Sequence, residues 1–306
     1  MLPRSRKAIA ALQAKGKRTA VERALRSPFW KKRIPRNISL KKLEDPEVWR
    51  QIPILDKETL RAMSDAQFYG EFCHAKHDGV AEYWRSGGVT GQPLFYPRSF
   101  RDIEVGLEAF ARTFDCAGAK RGDRAHISFP MGIHPVGQIF ARCAASRGIT
   151  VNWAGSGTST PSALQLELIQ RLKPTIWMGM SSYALHLANL AEAKGIDLSK
   201  LGIKHVMCSA EPVSQGKRDK IERSWGAKLT DNFGMTEAGM MGSEDVPGAG
   251  FRIWSDLYYV EVLDPQSLEP SKEGEVGTLV VTALKSNNIT PFLRWSSGDL
   301  VTYSEA

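Results

Sequence analysis

The chain has 306 residues, a formal charge of +8, and apolar and charged shares of 42% and 24%, the balance of a folded globular protein with material for one large core or two modest ones. No apolar run is long enough to cross a bilayer and no apolar h-region opens the chain, which argues against membrane insertion and secretion and predicts a cytoplasmic protein. Cys73, Cys116, Cys143 and Cys208 stand without a C-x-x-C pair, so neither a disulfide framework nor zinc is expected; Cys73-His74-Ala75-Lys76-His77 superficially resembles a metal cluster but reads rather as a solvated loop before the glycine-rich stretch.

Residues 1–78 predict a helical, basic lead-in interrupted by Pro28, Pro35, Pro46 and Pro53. Arg and Lys scattered around Ile9, Leu12, Val21 and Leu25 predict an amphipathic helix with a basic, solvated face. A nucleic-acid arm or a transit peptide would share that charge, but no stacking platform or recognition motif accompanies it, so no nucleic-acid partner is expected. The segment from Ile54 to Arg61 predicts a helix start capped by Asp56.

Next comes Trp84-Arg85-Ser86-Gly87-Gly88-Val89-Thr90-Gly91-Gln92-Pro93-Leu94-Phe95-Tyr96-Pro97, read as strand, glycine-rich loop and strand. Its glycines permit positive φ and close approach to a ligand, and Ser86 and Thr90 add hydroxyl donors; the stretch is either a hairpin turn or an anion cradle. It is not a Walker loop, because Gln92-Pro93 and not Lys-Ser/Thr follows the last glycine, and no G-x-G-x-x-G occurs in the chain.

Ser99 to Asp102 is a capping box, and Ile103, Leu107, Phe110, Ala111 and Phe114 fall on one face of the helix it opens. Strands are then predicted at 124–129, 149–153, 175–180, 203–209 and 227–232, separated by helices from Val136, Pro161, Tyr183 and Ser214. Crossovers of that length imply an α/β domain, residues 79–306, with mostly parallel sheets and flanking helices. A β-rich C-terminal part follows: Phe251 to Leu263, Gly277 to Leu284 and Phe292 to Tyr303.

Three further segments carry chemistry. Thr230-Asp231-Asn232-Phe233-Gly234-Met235-Thr236-Glu237 runs from a strand into a glycine turn bearing a hydroxyl and a carboxylate, at the strand end where α/β sheets bind ligands, though any strand-to-helix connection can look so. Cys208-Ser209-Ala210-Glu211-Pro212 lies at another strand end, and Leu293-Arg294-Trp295-Ser296-Ser297-Gly298-Asp299 ends on an acceptor carboxylate.

With the loop at Ser86, Gly88, Thr90, Gly91 and Pro93, these segments resemble, in order, the motifs of adenylate-forming enzymes, nearest to the phenylacetate-CoA ligase family. The linking stretches Leu172-Lys173-Pro174, Gly250 to Trp254 and Val260 to Pro265 are also similar, so the resemblance covers most of the chain. It implies the large N-terminal domain of such enzymes and the activity of a carboxylic acid–CoA ligase (AMP-forming): ATP-dependent conversion of an aryl or other carboxylic acid to an acyl adenylate, then transfer to CoA. By the same resemblance Ser86, Gly87, Gly88, Thr90 and Gly91 cradle phosphate, and Thr236 and Glu237 act on the adenylate, with Glu237 holding Mg²⁺. Ala210, Glu211, Pro212, Asp231, Asn232, Phe233 and Gly234 form the nucleotide pocket, and Asp299 binds the ribose.

A carboxylate substrate is already ionised at neutral pH, so the reaction needs charge neutralisation and alignment and no general base. Its organic part needs an apolar pocket, for which His134, Met131, Tyr183 and Met235 are taken, with Phe129, Ile133, Trp177 and Met180 as further candidates; each also serves as a core residue. His134, among Gly132, Pro135 and Gly137, is either a loop residue over the site or a structural histidine.

The chain departs from the family pattern at Gly87, Val89, Gln92 and Ser296, and the family's small C-terminal domain is expected to be absent. Two readings follow: a ligase large domain whose activity needs a further segment, or a truncated binding module that kept the nucleotide cradle. The expected partners are a carboxylic acid, ATP and CoA, and a homodimer fits. An α/β-hydrolase lacks its G-x-S-x-G elbow here.

Overall fold

The computed structural model describes residues 5–74, 79–85 and 94–305. They fall into two compact units: the described residues of Met1–Tyr83, Gly88–Val105 and Trp254–Ala306, and those of Trp84–Gly87 and Gly106–Ile253.

The first unit contains the helices α1 (Arg6–Ala24), α2 (Pro28–Lys31), α3 (Pro46–Arg50), α4 (Lys57–Arg61) and α5 (Asp65–Gln67), with the short strand β1 (Leu55–Asp56) between α3 and α4. Pro28 and Pro46 occupy first helical positions, where the missing N–H costs nothing. Asp56 caps α4 as expected, its carboxylate accepting from Thr59 N at 2.8 Å. The strands β2 (Glu82–Arg85) and β3 (Phe95–Arg98) pair in a two-stranded sheet. The helix α6 (Phe100–Ala117) follows, beginning in the first unit and running on into the second. The capping box at its start is formed: Ser99 Oγ accepts from Asp102 N at 3.1 Å and the Asp102 carboxylate accepts from Ser99 N at 2.9 Å.

The expected solvated face of α1 holds at Arg6, Lys7, Lys15 and Arg18, which are exposed, and is corrected at two positions. Lys17 and Arg23 are buried, whereas Leu12 is exposed. Lys17 Nζ lies 3.5 Å from the centroid of the Tyr259 ring, and Arg23 donates to the carbonyls of Ala283 and Leu284 at 3.1 and 2.9 Å. These partners stand more than two hundred residues away, out of reach of any local periodicity. Burial pulls Lys17 down to about 8, against the opposing attraction of Glu261.

The second unit continues in chain order through β4 (Arg124–Ile127), α7 (Pro135–Ser146), β5 (Thr150–Asn152), α8 (Ser162–Leu172), β6 (Ile176–Gly179), α9 (Ser181–Ala193), β7 (His205–Ser209), α10 (Gln215–Trp225), β8 (Lys228–Met235), β9 (Gly239–Ser243) and β10 (Arg252–Ile253). The strand order is β10-β9-β8-β7-β6-β4-β5. β5, β4, β6, β7 and β8 are parallel, and β9 and β10 are antiparallel additions. The connection from β5 returns across β4 to β6, so the winding reverses between β4 and β6. A core of Leu187, Val206, Ile221 and Leu229 surrounds Trp177 and Trp225, whose ring centroids are 5.1 Å apart.

β8 runs three residues beyond its expected end. The turn lies at 236–238, and β9, which no sequence pattern announced, returns antiparallel. Gly234 is thus a strand residue and not the turn: a Cβ there would stand 2.6 Å from the Gly239 carbonyl.

In the first unit β11 (Tyr258–Leu263), β12 (Gly277–Ala283) and β13 (Trp295–Val301) complete a sheet of order β1-β13-β12-β11. The span expected as one strand from Phe251 to Leu263 is broken by a turn at Trp254, and β13 starts only at Trp295 because Arg294 takes a left-handed φ of 44°.

Two buried ion pairs anchor these sheets. Arg294 donates to both carboxylate oxygens of Glu261, at 2.9 and 3.1 Å, and to the Ile52 carbonyl at 2.7 Å. In the second unit Arg218 Nη2 meets both oxygens of Glu244 at 2.7 Å; the same carboxylate accepts from Asp231 N and Gly248 N, each at 2.9 Å. The neighbouring Asp231 side chain is buried, which pushes its carboxyl up to about 7; Asn232 N and Arg218 oppose the shift and Glu244 adds to it. Among the described residues no helix is long and apolar enough to cross a membrane.

Arg294→Met leaves Glu261 buried without its partner and is expected to cost about 3–5 kcal/mol in urea unfolding, with much of the loss recovered in the Arg294→Met/Glu261→Met double variant. Asp231 binds its proton more tightly folded than unfolded, so its contribution is present below about pH 4 and lost as pH rises through about 7. Asp231→Asn should therefore raise the unfolding free energy from urea titration at pH 8, by at most about 4 kcal/mol, and leave it unchanged at pH 4.

Candidate functional site

The carboxyl ends of β4, β6, β7 and β8 open into a cavity of about 370 Å³ within the second unit. It sits at the reversal of winding, where crevices form because successive crossovers diverge to opposite sides. Each strand end supplies lining: Phe129 and Pro130 after β4, Met180 after β6, Ser209 and Ala210 from β7 onward, and Gly234, Met235 and Thr236 from β8 into its turn. Trp84, Phe110, Ile139 and Met240 add apolar lining. Phe140 backs that wall, stacked on Phe129 at 5.4 Å and edge-on to Phe110 at 4.6 Å.

His134 is the N-cap residue of α7 and also lines the cavity. The glycine after it has a packing reason: a Cβ on Gly137 would stand 2.4 Å from the Pro130 carbonyl. The helix therefore lies directly against the loop that supplies Phe129, Pro130 and His134. Gln138 adds a second fastening, its amide donating to the Met131 carbonyl at 2.5 Å.

Of the residues expected at the site, Ala210, Gly234, Met235, Thr236 and His134 are brought together on the lining, with Phe129 and Met180. Ala210 holds a left-handed φ of 75°, a conformation that costs about 1–2 kcal/mol for a residue with a Cβ. Glu237 follows Thr236 in the turn and is 9% exposed. Asn232 is consumed by the sheet, its amide donating to Cys208 O at 2.8 Å and accepting from Ser243 Oγ at 2.7 Å. Phe233 stacks on Phe251 at 5.4 Å.

Glu211 turns to the start of α9, where it accepts from Ser181 Oγ at 2.6 Å and from Ser182 N. Burial pushes its carboxyl up, but those hydrogen bonds and Lys217 prevail and hold it below the usual glutamate range. Lys217 also donates to the carbonyl of Pro212 at 3.3 Å, so the segment after β7 is pinned from both sides.

Met131, Ile133, Trp177 and Tyr183 stand outside the lining. Met131 packs toward α7 and Gly155, Ile133 is exposed, and Trp177 is core. Tyr183 pairs its hydroxyl with Ser162 Oγ at 3.0 Å. Asp299 belongs to the first unit, exposed on β13 and hydrogen-bonded by Ser297 Oγ.

Ser86, Gly87, Gly88, Thr90, Gly91 and Gln92 lie outside the described residues, as do residues 75–77 of the Cys73 segment. Cys73 itself is buried and its thiol pushed up to about 12 by desolvation. Among the described residues no group of three His, Cys, Asp or Glu side chains is placed to hold a metal. Trp84, Phe110, Pro130, Val136, Ile139 and Met240 line the cavity without having been singled out for it. Phe110 was visible only as part of a helical stripe, and Met240 rides on the unanticipated β9.

The family model "AMP-binding enzyme" matches residues 86–285. The chain is 31% identical over 253 residues to a phenylacetate-coenzyme A ligase of Thermus thermophilus, covering 82% of this chain and 55% of that protein. It is 32% identical over 260 residues to a phenylacetate-coenzyme A ligase of Pseudomonas putida, covering 82% and 56%. The chain thus spans about half the length of the curated relatives it matches. An open conformation of 2-hydroxyisobutyryl-CoA ligase in complex with 2-HIB-AMP and CoA superposes with a TM-score of 0.85 at 24% identity, over 97% of this chain and 69% of that one, which shows a shared fold. These matches bear out the motif resemblance and the α/β architecture it implied. The family model takes in every strand end that lines the cavity, and the chain belongs to the AMP-binding enzyme family.

Proposed function

We propose that the chain binds ATP and a carboxylic acid and carries the activation half of an acid–CoA ligase reaction, forming an acyl adenylate whose acyl group passes to CoA. The observation that carries this reading is the mixed lining of the cavity. Trp84, Phe110, Phe129, Met180 and Met240 give it apolar and aromatic surface, and Ser209, Ala210, Gly234 and Thr236 add small and hydroxyl-bearing residues at strand ends. An aryl or similar organic group suits the first set and a nucleotide the second. In this reading residues 79–306 carry the AMP-binding function. The helices of 1–78 buttress the C-terminal strands of their own unit, as Lys17 and Arg23 do.

The acid arrives ionised, so proton removal is not the problem to be solved; bringing two anions together is. Thr236 offers a hydroxyl to the phosphate, and the backbone of the 86–91 loop is assigned the remaining phosphate oxygens by its motif. Glu237 fits a Mg²⁺ ligand: it is a nearly buried carboxylate one residue beyond the cavity lining, the hard oxygen donor such an ion prefers. When bound, Mg²⁺ supplies neutralisation of phosphate charge. Ala210, Glu211, Pro212, Asp231, Asn232, Phe233 and Gly234 shape the nucleotide side. Glu211 and Asn232 do so by holding backbone, since their side chains are already engaged. The motif assigns Asp299 to the ribose hydroxyls. His134 and Met235 border the organic group, whereas Met131 and Tyr183, outside the lining, are not assigned to it.

Calorimetric titration of the purified chain with ATP and Mg²⁺ tests the reading. Glu237→Gln and Asp299→Ala are each expected to weaken binding by about tenfold or more, the Glu237→Gln effect shrinking when Mg²⁺ is omitted. A folded chain that binds no ATP overturns the assignment. Addition of phenylacetate as the test acid, with exchange of pyrophosphate into ATP as the readout, separates an activating domain from one that only binds.

A further inference from the structure

Behind the cavity lies a buried polar network that the motifs leave unexplained. His126, on β4, is completely buried, and its ring is held between two amides: Asn152 Nδ2 lies 2.8 Å from Nδ1, and Gln165 Oε1 lies 3.1 Å from Nε2. An amide NH₂ group only donates, so Nδ1 is the acceptor and Nε2–H donates to Gln165. The arrangement needs a neutral ring, and burial secures it by pulling the histidine down to about 4.

Gln165, on α8, is also completely buried and uses its full hydrogen-bonding capacity. Besides His126, its Oε1 accepts from Ser128 Oγ at 2.7 Å. Its Nε2 donates to the carbonyls of Gly155 and Thr160, each at 3.0 Å. One side chain thus fastens the end of β4, the loop after β5 and the start of α8. Through Ser128 it reaches the cavity, because the next two residues are Phe129 and Pro130. Gln138 and Gly137 hold the far part of the same loop.

We propose that Gln165 is a positioning residue for the acyl wall: through Ser128 it sets where Phe129 and Pro130 stand, and so how tightly the organic part of the acid is held. The proposal rests on the reading of the cavity as an acid and nucleotide site. A satisfied buried amide is rigid because every alternative rotamer strands its partners without hydrogen bonds. The network contacts the end of β4 and not the turn that bears Thr236, so its influence falls on Phe129 and Pro130.

Two ligands separate the sides: AMP, and the adenosine sulfamate of the aryl acid used above, which mimics the acyl adenylate without reacting. The ratio of their dissociation constants isolates the acyl group. Gln165→Met and Ser128→Ala are each expected to reduce that ratio about tenfold while AMP affinity stays within about twofold. Gln165→Met strands several polar groups and risks unfolding. Ser128→Ala cuts only the link to the loop and leaves Gln165 Oε1 bonded to His126, so the test survives. An unchanged ratio, or equal weakening of both ligands, overturns the positioning role while the site reading stands. A wild-type chain that binds the sulfamate no tighter than AMP overturns the acid-site reading and this proposal with it.

Discussion

The second unit depends on the Glu244 carboxylate. Buried against Arg218, it binds the backbone N–H of Asp231 on β8 and that of Gly248 beyond β9, so one charge ties helix α10 to the parallel sheet and to the antiparallel hairpin. A buried ion pair is a poor source of net stability, because desolvation consumes most of the attraction. Its merit is directional: a single carboxylate meets donors from α10, from β8 and from beyond β9 at once. The turn of that hairpin carries Thr236 and Glu237, so their position is inherited from an interaction several residues away.

Topology does the rest. Parallel strands end together on one edge, and the reversal of winding between β4 and β6 leaves space there that neither set of crossovers fills. Aromatic and methionine side chains and small residues line it together. Gly234 is small because β9 lies against it, and Ala210, at the end of β7, holds a left-handed conformation that is a local strain on the lining.

How much of this the amino-acid order reveals depends on the reach of the interaction concerned. Caps are local, so Asp56 and Ser99 with Asp102 were readable and stand where expected. Every parallel strand of the second unit was visible as a short apolar run between helices. β9 was not: Gly-Met-Met-Gly-Ser lacks β-branched residues and alternation, and it is a strand because β8 offers it a partner. Two members of the basic face of α1 were misread for the opposite reason. Lys17 and Arg23 carry the local signature of solvent exposure, and only contacts with distant strands bury them. For the site, motif order pointed to the right strand ends, while the apolar wall of Trp84, Phe110 and Met240 comes from three separate elements that no short pattern unites.

The cavity is framed by main chain lying against main chain. At Gly137 the helix touches the Pro130 carbonyl, and at Gly234 one strand touches the Gly239 carbonyl, with no room for even a methyl group. Such a frame resists redrawing. The side chains that project from it are unequally bound: Phe129 and Met240 are packed, whereas Met180 and Met235 are half-buried and border the open volume. On the proposed reading, substitutions at Met180 and Met235 can reshape the binding volume at little cost to the fold, and a lineage can explore new organic acids one residue at a time.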